Sequence, residues 1–247
     1  ILYKYTYLIK GVCNGGTYGQ VLKCLNLENK EKTALKVLRS QEGWAGKKEV
    51  ANLRRLKKLD PNKNNLVRFI DHFNHKGHFC MTFELLDITL HDFLEKEGPL
   101  SLSEIRMLVA LNALKDIGLA HADIKPNKTM LVNHRLNPLK VKLVDFGTTV
   151  AVSKVLPGTV VQAIGYRAPE VILGLQVDEA IDIWGLGCVL AYMYLGQDLL
   201  VCLVFCPCNF LFYFEVLVLL FSSLLYFLVV SHVDCLPCPN VDHLCLV

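Results

Sequence analysis

Residues 121–128 read HADIKPNK and residues 141–147 read VKLVDFG, and these two stretches decide the fold. Asp123 and Lys125 stand two apart in a loop segment, so both can face one cleft. Asp145 precedes Phe146 and Gly147, and the glycine lets the backbone turn sharply behind the carboxylate. A carboxylate that accepts a hydroxyl proton, a lysine that holds a phosphate and a second carboxylate for a divalent ion form a set suited to phosphoryl transfer.

Working outward, the same chemistry recurs upstream. Lys36 lies inside the apolar run TALKVL at 33–38. A half-buried lysine needs an anionic partner, and Glu49 on the next helix is a candidate; the other reading is a solvent-side lysine on an edge strand. Residues 14–21 (NGGTYGQV) place glycines between two strands, where backbone amides could cover phosphates. Alone, such glycines mark an ordinary hairpin turn. Downstream, APE at 168–170 and DIWGLG at 182–187 follow in order.

Periodicity fills in the frame. Strands are expected at 3–10, 20–25 and 33–38. A helix is expected at 47–59 with Val50, Leu53 and Leu56 on one face, then a hairpin pair at 66–73 and 78–84. A short helix follows at 90–96. Ser101 and Ser103 are good N-caps for a helix running to about residue 118. Short strands near 130–132 and 141–144 precede a long loop and a helix at 180–195. A β-rich front and a helical back predict a two-lobed α+β fold. The N-lobe covers about 3–86 and an incomplete C-lobe about 87–198.

With these motifs in order, residues 3–198 resemble a eukaryotic protein kinase catalytic domain, and within it the homeodomain-interacting protein kinases, relatives of the dual-specificity Tyr-regulated kinases. The stretches GGTYGQVLKC, HADIKP, VKLVDFG, YRAPEVILGL and EAIDIWGLGCV carry the resemblance. Ala122 fits that subfamily, and Lys125 after the aspartate fits Ser/Thr kinases. The resemblance implies ATP and Mg²⁺ as cofactors and a protein as substrate. Asp123 would orient and deprotonate the substrate hydroxyl, and Lys125 would neutralise the transferred group. Gly15, Gly16 and Gly19 would cover the phosphates. Lys36, paired with Glu49, would hold them, and Asp145 would ligate the metal. Val21, Ala34 and Met130 would sandwich adenine, with Phe83 as gatekeeper and the hinge running from Glu84 to Leu86. Leu53, Phe69, His121 and Phe146 would stack between the lobes, and Asp182 would anchor the catalytic loop.

Several positions depart from that pattern. Lys128 stands where the family has a metal-binding Asn, and its charge would repel a divalent ion by something on the order of several kcal/mol at close range. Asn127 is one residue early. Asn14 replaces the first glycine of the phosphate loop. Val160 replaces the autophosphorylated Tyr, Ile164 the Arg that would pair with it, and Ala163 the hydroxyl that would bond the catalytic Asp and Lys. Glu170 has lost its expected Arg, which predicts a costly unpaired carboxylate if it is buried. Three readings therefore stand: a kinase of impaired activity, a pseudokinase that binds nucleotide or serves as a scaffold, and a truncated product.

The 247-residue composition divides the same way. All 26 Lys and Arg fall in residues 1–167, while 168–247 hold none and eight acids. The net charge of +3 indicates no polyanion partner, so nucleic-acid binding is not expected. There is no secretory signal, and the chain reads as one that begins inside a domain of an intracellular protein, nuclear or cytoplasmic. Six of the ten cysteines follow residue 200. Residues 199–247 do not read as kinase. Residues 199–230 are apolar apart from Glu215, enough for a membrane span, which makes membrane contact through 208–230 one reading. A misjoined sequence and a core helix are the others. Cys235, Cys238, His243 and Cys245 do not follow a standard zinc spacing.

Overall fold

The computed structural model describes residues 7–16, 19–98 and 107–196. Five antiparallel strands form the front lobe: β1 (Tyr7–Gly16), β2 (Gly19–Asn26), β3 (Lys32–Leu38), β4 (Phe69–His75) and β5 (His78–Glu84), in spatial order β1-β2-β3-β5-β4. Alternation along β3 sorts its side chains. Leu35 joins Tyr7, Cys24 and Cys80 in a small cluster on one face. Ala34, Lys36 and Leu38 take the opposite face, and Leu38 belongs to the main core there.

Helix α1 (Gly43–Leu56) covers that inner face with Gly46, Glu49, Val50, Leu53 and Leu56 buried, a three-to-four residue spacing. It starts four residues before the expected 47–59 helix, because Gly46 must lie against the sheet. A Cβ there would stand 2.4 Å from Phe79 and 2.8 Å from Leu38. Strand β4 starts three residues later than expected. Leu66 bridges Leu143 and the Val67 amide donates to the Leu143 carbonyl, so residues 66–67 join the rear lobe.

The rear lobe comprises α2 (Leu90–Glu97), α3 (Met107–Lys115), β6 (Leu119–Ala120), β7 (Thr129–Asn133), β8 (Asn137–Leu143), β9 (Val150–Ala151), α4 (Pro169–Ile172) and α5 (Ala180–Leu195). β7 pairs with β8, and β6 with β9. Thr89 caps α2 by accepting from the Asp92 amide. The expected caps Ser101 and Ser103 lie outside the described residues. Helix α5 matches the expected 180–195 and is apolar nearly all round, as a helix through a core must be. One cluster runs from Leu38, Leu53 and Phe83 through Phe146 to Leu186 and Val189, so the two lobes share a core. No helix among the described residues is long and apolar enough to cross a membrane, and residues 199–230, on which the span reading rests, lie outside them.

Candidate active site

Two loops build the site, and α5 holds the first of them. The Asp182 carboxylate, 2% exposed, accepts from the amides of His121 (2.5 Å) and Ala122 (2.9 Å). Ala122 has φ of 62°, an unfavourable angle for a residue with a Cβ, and this clamp maintains it. Gly185, one turn along α5, lets the helix approach Ile124, which a Cβ would meet at 2.9 Å. Burial pushes the Asp182 carboxyl up to about 7 despite the two amide donors. Burial likewise lowers His121 to about 4. Its Nε2 faces the Val144 carbonyl at 3.1 Å, and its ring meets Phe146 edge-on at 5.2 Å. Leu53 and Phe146 belong to the same core cluster, with Phe69 packed against it.

The second loop turns at Asp145, whose φ is 65°. The charged residues converge here. Lys36 Nζ lies 2.7 Å and 3.0 Å from the two Glu49 oxygens and 2.8 Å from Asp145 Oδ1. Lys125 Nζ lies 3.0 Å from Asp123 Oδ1. Lys128 Nζ contacts Asp145 Oδ2 and stands 3.8 Å from Asp123 Oδ2. Burial alone would raise the Asp145 carboxyl, but Lys36 and Lys128 outweigh it and hold the group far below the usual range. Burial raises Glu49, with Lys36 opposing, and Lys36 itself is raised because Glu49 and Asp145 outweigh its desolvation. The expected partnership of Lys36 and Glu49 is therefore present, and the edge-strand alternative falls.

The remaining expected site residues lie on β1, β2, β3, β5 and β7 and in the segment after β5. Ala34 pairs with Phe83 across β3 and β5, and Val21 pairs with Lys36 across β2 and β3. Met130 and Ala34 pack against the core in which Leu86 is buried. Gly15 and Gly16 end β1 and Gly19 opens β2, while residues 17–18 of the turn between them lie outside the described residues. The Glu84 carboxylate is already engaged: Oε1 accepts from Lys142 Nζ (2.6 Å) and from the Arg68 amide (2.6 Å).

The family described as the protein kinase domain matches residues 10–201. The chain belongs to the protein kinase family. It is 45% identical over 193 residues to homeodomain-interacting protein kinase 1 of Mus musculus, covering 74% of this chain and 16% of that protein. It is 43% identical over 203 residues to homeodomain-interacting protein kinase 2 of Mesocricetus auratus (78% and 17%). It is 38% identical over 204 residues to the dual specificity protein kinase YAK1 homolog of Arabidopsis thaliana (78% and 21%). The crystal structure of the PF14_0431 kinase domain superposes with a TM-score of 0.72 at 30% identity, covering 80% of this chain and 66% of that one. The chain thus spans about a sixth of the length of its homeodomain-interacting kinase relatives.

Protein kinases use ATP with Mg²⁺, and the donor set here does not fit a two-ion arrangement. Lys128 offers no lone pair, Asn127 is exposed, and both oxygens of Asp145 already face ammonium groups.

Sequence reasoning found the charged cluster but not its supports. Asn52 donates to the Phe146 and Thr149 carbonyls, each at 3.0 Å, tying α1 to the segment after Asp145. Buried Gln162 joins the loop at Ala122, α5 and the start of α4: its amide donates to the Ala122 carbonyl, its Nε2 to the Ile181 carbonyl, and its Oε1 accepts from the Ala168 amide. Arg167 donates to the Val161 and Gln162 carbonyls. Neither Asn52 nor Gln162 stands out in sequence. Glu170 departs from expectation. It is partly exposed rather than buried, so water solvates it and the expected penalty does not arise.

Proposed function

We propose that this chain is the nucleotide-binding and catalytic part of a protein Ser/Thr kinase of the homeodomain-interacting type, transferring the γ-phosphoryl group of ATP to a protein hydroxyl at a reduced rate. The convergence of Lys36, Glu49 and Asp145 with Asp123 and Lys125 in one charged cluster, joined through Lys128, carries the reading. In the reaction the substrate hydroxyl oxygen bonds to the γ-phosphorus, its proton passes to the Asp123 carboxylate, and the bond to the β-phosphate oxygen breaks to release ADP. Lys125, beside Asp123, offsets charge on the transferred group, and Lys36, held by Glu49, reaches the remaining phosphates.

Reduced rate follows from the activation segment. Ala163 has no hydroxyl to link Asp123 and Lys125. Val160 and Ile164 are exposed apolar side chains with no means of forming a phosphate–arginine lock. A second reading, a nucleotide-binding pseudokinase, is favoured by one contact: Lys128 sits against both Asp123 and Asp145.

Phosphate transfer from labelled ATP to a generic basic protein, run beside Asp123→Asn, tests both. The expected result is slow transfer that drops by about a hundredfold or more in the variant, with nucleotide binding unchanged. Nucleotide binding with transfer no faster than in the variant establishes the pseudokinase. Absence of nucleotide binding overturns both readings.

A further inference from the structure

Resting on the nucleotide reading of this cleft, we infer that Lys128 is a built-in cation that takes the place of a divalent ion, so that the chain binds a nucleoside triphosphate free of metal. Every carboxylate oxygen of Asp123 and Asp145 already faces an ammonium group. Asp145 Oδ1 lies 2.8 Å from Lys36, and Asp145 Oδ2 contacts Lys128. Asp123 Oδ1 lies 3.0 Å from Lys125, and Asp123 Oδ2 lies 3.8 Å from Lys128. A divalent ion seated on Asp145 would have to displace one lysine and remain beside the others.

Lys128 is placed from both sides. It ends the short turn Pro126–Lys128, where its amide donates to the Lys125 carbonyl at 2.9 Å. Its own carbonyl accepts from the Val144 amide, also at 2.9 Å, one residue before Asp145. The two loops are thereby joined at the backbone as well as through the side chain.

The charge count gives the consequence. Three ammonium groups (Lys36, Lys125, Lys128) balance three carboxylates (Glu49, Asp123, Asp145). With a neutral residue at 128 the cluster would carry one net negative charge and would need an added cation before a polyphosphate could enter. With Lys128 it needs none, and the ammonium can turn from Asp145 to a phosphate oxygen as a point charge.

Titration calorimetry of the full chain with ATP, in EDTA and in excess Mg²⁺, tests this beside Lys128→Asn and Lys128→Gln. The wild-type dissociation constant is expected to change by less than about threefold between the two conditions, and that of each neutral variant by about tenfold or more in favour of Mg²⁺. A wild-type chain that binds ATP only with Mg²⁺ overturns the inference while leaving the nucleotide site standing. The same metal ratio in wild type and in whichever variant folds overturns it as well, since Lys128 is then not the cause. No ATP binding by any of the three chains overturns the nucleotide reading and the inference with it.

Discussion

Behind Asp123 and Lys125, His121 and Asp182 titrate in opposite senses. Folding lowers His121 from 6.5 to about 4, so between those values the unfolded chain binds more protons and this residue makes stability rise with pH. Folding raises Asp182 from 3.8 to about 7, so across nearly the same window the folded chain binds more protons and stability falls with pH. Each effect is on the order of 3–4 kcal/mol, and in the wild type they largely cancel. His121→Phe should therefore make the stability curve fall more steeply with pH than the wild type's, and Asp182→Asn should make it rise. Urea unfolding between about pH 5 and about pH 7 measures both slopes, and slopes that shift in the same direction would contradict this assignment. The motif around His121 shows in the sequence. The opposed titrations do not, because they depend on burial by α5, about 60 residues away.

At the scale of elements, α1 decides where Glu49 sits, and Gly46 decides where α1 sits. Gly46→Ala brings a Cβ to 2.4 Å from the Phe79 ring. Alanine's better helix propensity returns about 1 kcal/mol, less than the strain of overpacking, so a net loss of about 1–2 kcal/mol is expected. Gly43→Ala, with nothing within 4 Å, should instead be neutral or slightly stabilising. Urea midpoints of the two variants, read against the wild type, check the contrast. Val50, Leu53 and Leu56 made the helix legible by their spacing, and the apolar run of 180–195 did the same for α5. The start of α1 was not legible, since two glycines at a helix N-terminus read as a turn until Phe79 and Leu38 are seen against them. The edge of β4 escaped for a similar reason: Leu66 and Val67 are strand-like residues, but Leu143 of the other lobe claims them.

At the scale of the whole molecule, polar side chains join the lobes in addition to the shared core. Lys142 of β8, 1% exposed, reaches Glu84 at the end of β5 (2.6 Å) and Asn62 in the turn after α1 (2.8 Å). Lys142→Met leaves the Glu84 carboxylate half-buried without its cation and should cost about 3 kcal/mol. Adding Glu84→Gln to that variant should recover part of the loss, and a double-mutant cycle by urea unfolding measures the coupling. The charged residues of the cleft were legible because chemistry demands those types at that spacing. Lys142 escaped because a lone lysine in a strand looks the same whether it faces water or an anion. Asn52 adds a further tie, its amide donating to Phe146 and Thr149 across the lobe boundary. Such a tie couples timing as well as position. Amide hydrogens in the second half of α1 and in residues 146–149 should exchange with solvent through one shared opening, so Asn52→Ala should speed both sets together and leave β1 and β2 at their own pace.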